Sequence, residues 1–522
     1  MADPRISWSR YLAQQNENEL EYLLKKGTFR PLLLYHVIVF NCLPWIVLVI
    51  PKSRGGQYIR PLVFALSLAF AIEVIRNQRA LLGGNGYMIG MMAAWLLVWS
   101  GTLFIFSDVE RDFQRIERVT ASEKPRSIGD SLDAQSSNNG TVSENVIADK
   151  ARFRWQSYPS KLSHRIEWCA GLLFNLRGPE WNWRTPRLGR LPQTVHADLH
   201  SGFLANSIPA EDTGVQISAR KCVSKAFRVF AISYLTLDAL KVVMIRDPYF
   251  RNTATDNIAP PFPLSFLVFI PCGIRFYHCF LSCLGVYTAL QYVTSLNPIC
   301  FLGLSLAFPN ASRKLTAAPL DAPWLYADTF GPFISSVLDD GLASVWGSWW
   351  HQLFRHGFTS TARWLLSLLP VSWGTNPRLK RVTYIVVAFS LSGLVHACGS
   401  YTQFTETRPL TGPFLFFLSQ SMAIIAEYIF KTVVFPKLPL GQTPRWLRRT
   451  ANGLMVFIWL LFSGPLIADD FARGGLWLME PVPISPLRGL GLANGQGWWC
   501  WEGEWFKYWS DGTYWGSGIR VI

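Results

Sequence analysis

The sequence predicts an all-α, polytopic integral membrane protein with eight to ten membrane helices. Two observations carry that prediction. Half of the 522 residues are hydrophobic and only 16% are charged, with a positive mean hydropathy, a balance that suits a membrane protein with polar loops. The apolar residues are also grouped into runs close to the length of a bilayer crossing, with Gly and Pro between them. The formal charge of +15 raises nucleic acid as a partner. The Lys and Arg residues sit beside the apolar runs, however, as cytoplasmic flanks do under the positive-inside rule. The expected partner is the bilayer, and no nucleic-acid role is expected.

Residues 1–30 form a polar, partly helical lead-in. It has no apolar stretch of the kind a cleaved signal peptide needs, so the first spanning helix is expected to target the chain. Residues 31–106 hold three apolar segments, Pro31 to Ile50, Pro61 to Ile75 and Met88 to Phe106. Pro51 and Gly55-Gly56 separate the first two, and Gly83-Gly84-Asn85-Gly86 separate the second from the third. Glu73, Arg76 and Arg79 close the second segment and are expected to pair and snorkel at the interface. Residues 107–225 contain no spanning run. Within them 121–150 have the Ser, Asn, Asp and Glu content of a disordered insert, and the Trp-, Arg- and Pro-rich remainder reads as interfacial helices and loops. Arg111, Arg115 and Arg118 at one end of this region, and Arg220, Lys221, Lys225 and Arg228 at the other, place it on the cytoplasmic side.

Residues 226–468 are the expected membrane-embedded core. Ala226 to Ile245 reads as one crossing, Phe262 to Val293 as more than one element, and Pro298 to Phe308 as a re-entrant piece too short to span. Asp238 and Lys241, three residues apart, share a helix face and are expected to form an ion pair inside the bundle. Pro413 to Val434 and Asn452 to Ala468 supply two more crossings. The tail, 469–522, has the Gly and Trp content of a headgroup-level belt. No internal repeat is visible, which argues against a transporter with repeated halves.

The chemistry concentrates between Ser344 and His396. This stretch opens with SVWGSWWHQLFRHGF, crosses a basic patch from Asn376 to Arg381, and closes with VTYIVVAFSLSGLVHAC. His396 sits inside a segment otherwise apolar enough to span, where an ionisable group is costly and marks a functional site with a partner. His351 is the expected partner. If its segment is helical, Gly347, His351, Phe354 and Phe358 share one face, while Ser392 and Gly393 leave room one turn before His396. Two other patterns carry less. His196 and His200 form an i, i+4 pair without the further histidine boxes a di-iron site needs. Asp339-Asp340 and Asp469-Asp470 lack the spacing of an Asp-rich magnesium site, and helix-start or interfacial roles suffice for them. The nine cysteines are scattered without a metal-ligand spacing, so neither a disulfide framework nor a metal site is expected.

WGSWWHQLFR, from Trp346 to Arg355, resembles the F-W-x-x-x-W-H-Q-x-x-R signature of the wax synthase-like branch of the membrane-bound O-acyltransferases. SLSGLVHACG, from Ser390 to Gly399, resembles that family's S-G-x-x-H segment. NLRGPEWNW, ahead of both, is similar to an R-G-x-x-W patch many members carry. Val345 stands where the family usually has an aromatic, and Ser348 and Trp349 replace a frequently basic pair. The resemblance covers roughly 177–468. It implies an O-acyltransferase working in a tunnel through the membrane, with His396 as general base and His351 orienting the thioester or donating to the oxyanion. It implies acyl-CoA as co-substrate with no bound cofactor or metal, and Arg355, Arg378, Lys380, Arg381, Gln352 and Trp350 as the residues that meet the donor. Similar fungal members acetylate terpenoid or meroterpenoid alcohols, so acetyl-CoA and a secondary-metabolite alcohol are expected, in the endoplasmic reticulum membrane. A long-chain acyl-CoA:fatty alcohol acyltransferase and, from another class, a transporter or channel with a His proton relay remain open.

If 107–225 is cytoplasmic, Asn139-Gly140-Thr141, a formal glycosylation sequence, stays unmodified in the native protein. Mass analysis of the peptide checks this; glycan on Asn139 reverses the orientation.

Overall fold

The structure is a computed structural model and describes residues 8–119, 152–201, 218–251, 258–437, 443–493 and 497–522. Asn139 and the insert expected at 121–150 lie outside the described residues. Among the described residues, six helices are long and apolar enough to cross a membrane. An amphipathic lead helix, α1 (Trp8–Lys25), and a shorter apolar helix, α2 (Leu34–Val49), come first. The spans then begin with α3 (Gly56–Asn77) and α4 (Tyr87–Phe106). Helix α5 (Leu162–Leu173) packs beside α2, followed by the short α6 (Gln193–Ser201) and by α7 (Ala219–Arg246), which has the length of a crossing but more charge than the six. The remaining spans are α8 (Gly273–Ala307), α10 (Pro377–Thr402), α11 (Leu410–Lys437) and α12 (Arg445–Arg473), with α9 (Arg355–Leu368) between α8 and α10. With α2 and α7 added, the number of membrane helices reaches the lower end of the expected range.

Among the described residues strands are few and short: β1 (Arg30–Pro31) beside β2 (Gln78–Arg79), and the antiparallel pairs β3 (Arg115–Val119) with β4 (Arg152–Gln156) and β5 (Phe506–Trp509) with β6 (Gly518–Val521). One of these corrects an expectation. Arg152-Phe153-Arg154-Trp155 alternates polar with aromatic residues, a period of two, and forms a strand where an interfacial helix was expected. The piece from Pro298 to Phe308 is not re-entrant either. Helix α8 runs on through it, because a π-turn at Pro298–Leu302 takes up the backbone bond that Pro298 cannot make.

The expected ion pairs are partly redrawn. Arg30 takes Glu73 at 3.0 Å, while Arg79 is buried, donating to the carbonyls of Ile75 (3.0 Å) and Gln78 (2.8 Å) under the rings of Phe29 and Tyr401. Arg115 and Arg118 bind the carboxylates of Glu167 and Asp321. Asp238 and Lys241, both buried, are not partners of one another. Asp238 accepts from the Ser485 hydroxyl and from the Leu487 N–H (3.0 Å), with the buried Arg488 guanidinium 3.8 Å away. Lys241 donates to the carbonyls of Trp477 (2.7 Å) and Leu478 (3.0 Å) and lies 3.5 Å from Glu480. One turn of α7 thus fastens the C-terminal segment. The Asp pairs are also structural. Asp339 meets Arg445 and Arg449, Asp469 accepts from Tyr249 Oη at 2.6 Å, and Asp470 is buried, accepting the Arg408 N–H at 2.6 Å, so this second pair lies within the bundle.

Removing one partner of a buried charge cluster leaves the others uncompensated, at a cost of about 3–5 kcal/mol. Asp238→Ala is therefore expected to lower the thermal midpoint in detergent and to expose residues beyond 480 to protease. A variant as hot and as resistant as the parent would refute this account of the tail.

Candidate active site

The basic patch from Asn376 to Arg381 is the start of α10. Asn376 caps the helix by accepting the N–H groups of Arg378 (3.0 Å) and Leu379 (3.3 Å), and Pro377 occupies the first helical position, where its missing N–H costs nothing. From there α10 carries His396 to its far end. Arg378, Lys380 and Arg381 are exposed, and at 1.5 Å per residue Arg381 stands about 22 Å along the axis from His396. The structure does not bring these three cations to the histidines.

His396 is fixed by a neighbour that sequence reading missed. Its Nδ1 lies 2.5 Å from the hydroxyl of Tyr87, and its ring stacks on Phe417 of α11 with centroids 4.7 Å apart and planes 14° apart. Tyr87 is the first residue of α4 and follows the Gly83-Gly84-Asn85-Gly86 loop, all four of whose residues have positive φ, the left-handed backbone that Gly and Asn tolerate. That loop is tied to the end of α10. Thr402 Oγ1 accepts the Gly90 N–H (2.9 Å) and donates to the Gly86 carbonyl (3.0 Å), and the Phe404 N–H reaches the Asn85 carbonyl at 3.1 Å. The two helices nearly touch. A Cβ built on Gly90 would lie 1.9 Å from the Cys398 carbonyl, and one on Gly399 would lie 2.9 Å from the Tyr87 ring. Small residues near His396 admit two neighbouring helices: Gly399 receives Tyr87 of α4, while the room expected at Gly393 is filled by Phe414 of α11.

His351 reaches the site by a different route. The helical segment expected through it is interrupted: a π-turn spans Val345–Trp349, Trp350 is extended (φ −64°, ψ 150°), and α9 starts only at Arg355. Gln352 holds the break open, because its Nε2 donates to the carbonyls of Trp346 (3.0 Å) and Trp350 (3.2 Å), which a continuing helix would engage. His351 and Gly347 consequently do not share a helix face, and Gly347 is exposed with nothing within 4 Å of a built Cβ. Trp350 packs among Phe330, Trp346 and Trp349 beside His351, and Arg355 donates to Gln352 Oε1 and the Gly347 carbonyl. The His351 Nδ1 is buried without a hydrogen-bond partner. Burial pushes this imidazole down to about 3, helped by the nearby His396 and by Arg177, so His351 is neutral at physiological pH. A row of rings joins the two imidazoles, from His396 through Phe417, Trp346 and Trp350 to His351.

Arg177, from the NLRGPEW patch, is the other basic group whose field reaches His351. It donates to the carbonyls of Ala327 (2.7 Å) and Asp328 (2.8 Å), bracing the loop that carries Phe330 against the His351 ring. Burial lowers its pKa to about 10. His196 and His200 stack on each other away from this site, and among the described residues no group of His, Cys, Asp and Glu could hold a metal ion.

The profile of the Membrane bound O-acyl transferase family matches residues 326–419, a stretch that contains both histidines. The resemblance read from WGSWWHQLFR and SLSGLVHACG is thereby borne out. The chain is 34% identical to the acetyltransferase eriL of Hericium erinaceus over 49% of its own length and 59% of the relative's. It is 33% identical to the O-Mevalon transferase macI of Penicillium terrestre over 27% of its length and 34% of the relative's, and 32% identical to the acetyltransferase ple2 of Rhodocybe pseudopiperita over 41% and 52%. The chain thus spans between a third and three fifths of the curated relatives it matches. No solved structure matches it.

The close approach of α4 to α10 makes a sharp contrast testable. Gly90→Ala places a methyl against backbone and must force the helices apart, whereas Gly347→Ala places one in open space. Gly90→Ala is expected to destabilise by about 1–3 kcal/mol and to cut turnover, and Gly347→Ala to do neither. Thermal melts and initial rates of both in one detergent decide it; equal behaviour removes the contact from the account.

Proposed function

We propose that this protein is an O-acyltransferase that moves an acetyl group from acetyl-CoA to the hydroxyl of a terpenoid or meroterpenoid alcohol. The supporting observation is the pair of imidazoles joined by a row of aromatic rings, one fixed by Tyr87 and Phe417, the other with a buried, unpartnered ring nitrogen. The names of the relatives, acetyltransferases and O-Mevalon transferases of fungi, support the acyl-transfer reading and its place in secondary metabolism. The endoplasmic reticulum membrane is the proposed location.

In the proposed reaction His396 Nε2 takes the proton of the acceptor hydroxyl as its oxygen attacks the thioester carbonyl carbon. The carbonyl oxygen gains the charge and His351 donates to it. Collapse of the tetrahedral species breaks the carbon–sulfur bond, and the proton on His396 passes to the departing thiolate, giving the ester and free CoA. No acyl-enzyme is required, since the thioester is already activated. Gln352 and Arg355 hold the His351 segment, with Trp350 flanking it. Arg378, Lys380 and Arg381 stand together at the start of α10, where cations oppose the helix dipole unless an anion joins them, and the CoA phosphates are the proposed anion.

Membranes bearing the protein are expected to release CoA from labelled acetyl-CoA only with an acceptor alcohol present; release with long-chain acyl-CoA alone would transfer the proposal to wax-ester chemistry. His396→Gln is expected to lower turnover about 10²- to 10⁴-fold, and His351→Gln by less, because an amide still donates. Parent-like turnover by an inserted His396→Gln protein would remove the base. Removing the charge of Arg378, Lys380 or Arg381 is expected to raise KM for acyl-CoA and leave that for the alcohol unchanged, and unaltered KM values in all three would refute the phosphate assignment.

A further inference from the structure

We propose that Tyr87 is a positioning residue for acyl transfer: its oxygen accepts the Nδ1–H of His396, selecting the tautomer that leaves the Nε2 lone pair free for the acceptor hydroxyl. The inference rests on the reading of His396 as the base, and goes beyond it by naming what makes that base competent. An imidazole in a dry interior has two neutral tautomers, and only the one protonated at Nδ1 offers Nε2 as an acceptor. The choice is made by whatever Nδ1 meets, and in this protein it meets Tyr87 Oη at 2.5 Å.

Two features make the contact a built one. Tyr87 is buried, held by Gly399 against one part of its ring and by Phe471 of α12 edge-on, with centroids 5.3 Å apart. The Phe417 stack fixes the plane of the imidazole. When Nε2 takes the acceptor's proton, the imidazolium keeps its Nδ1–H bond to Tyr87, and that bond strengthens as charge develops. The interaction is therefore worth more in the transition state than before it, as a contribution to kcat requires.

Tyr87→Phe removes one oxygen and keeps the ring. Turnover is expected to fall about 10- to 100-fold, the worth of one hydrogen bond to a charged group, with KM for acyl-CoA within about twofold of the parent. In a His396→Gln background the same change is expected to have no further effect, because its only route to the reaction is gone. Parent-like turnover of Tyr87→Phe, or an equal loss in both backgrounds, overturns the proposal. Should Tyr87→Phe fail to insert, replacing Tyr87 by 3-fluorotyrosine keeps the fold and decides the matter. Fluorine makes the oxygen a poorer acceptor and a better donor, so kcat is expected to fall by about twofold or more, and an unchanged or faster enzyme overturns the assignment. The two readings fail separately. An active His396→Gln protein defeats the base itself, whereas an inactive His396→Gln beside a parent-like Tyr87→Phe defeats only the role of Tyr87.

Discussion

Everything at the candidate site depends on how closely α4 and α10 approach. Inside a bilayer two helices gain nothing from hiding apolar surface, since lipid is as apolar as leucine, and their association rests on contact area and interhelical hydrogen bonds. Here both come from the same few residues. Gly90 and Gly399 let backbone meet backbone and ring, and the hydroxyl of Thr402 satisfies the Gly90 N–H, one of the amides that the first turn of any helix leaves without a partner. The distance so set is what allows a tyrosine on one helix to touch a histidine on the other. A Cβ at Gly90 would lie 1.9 Å from the Cys398 carbonyl, so a larger residue there must push the two helices apart.

The sequence shows the histidines and hides their setting. His396 is legible because a charge-capable ring among Val, Ala and Leu demands a reason, and the spans around it are legible because hydropathy over twenty residues is a local property. Tyr87 is not. It stands 309 positions from His396, in a segment where an aromatic at a helix start has an ordinary interfacial explanation, and only the packing of α4 on α10 links the two. The nearest available clue was the Gly-Gly-Asn-Gly loop, read as a break between spans when it is also the device that aims Tyr87. The interruption at Trp350 was illegible for a related reason. Gln352 caps carbonyls within its own segment, and helical periodicity through SVWGSWWHQLFRHGF gives no hint that a side chain will compete with the helix for those bonds.

Asp238 and Lys241 teach the same lesson in reverse. Their spacing on one helix face is correct for a pair, and both are buried, as charges inside a bundle should be. Sequence spacing says which side chains can meet and not which do. Asp238 instead finds a hydroxyl and an N–H and Lys241 finds carbonyls, all from the segment 477–488, partners that satisfy directional needs a single opposing charge would leave open. The Trp-rich tail is thereby part of the bundle, with its bulkiest rings at 498, 499 and 515 left exposed.

The weave of the two ends bears on the order in which the protein is built. β6 lies against the chain at Leu33, the Val521 N–H bonds the Leu32 carbonyl, the Leu82 N–H bonds the Ile522 carbonyl, and Arg520 is paired with Glu21. Helices α2 and α3 leave the ribosome and enter the bilayer hundreds of residues before these partners exist. Until then the backbone edge at 32 and 82 and the acid at 21 wait at the membrane surface with water for company. Insertion of the early helices and completion of the bundle are therefore separate events. Such distant closure is slow for any chain and leaves a half-assembled bundle exposed to misassembly, so the cell must shelter this protein after its helices are in the membrane as well as while they enter it.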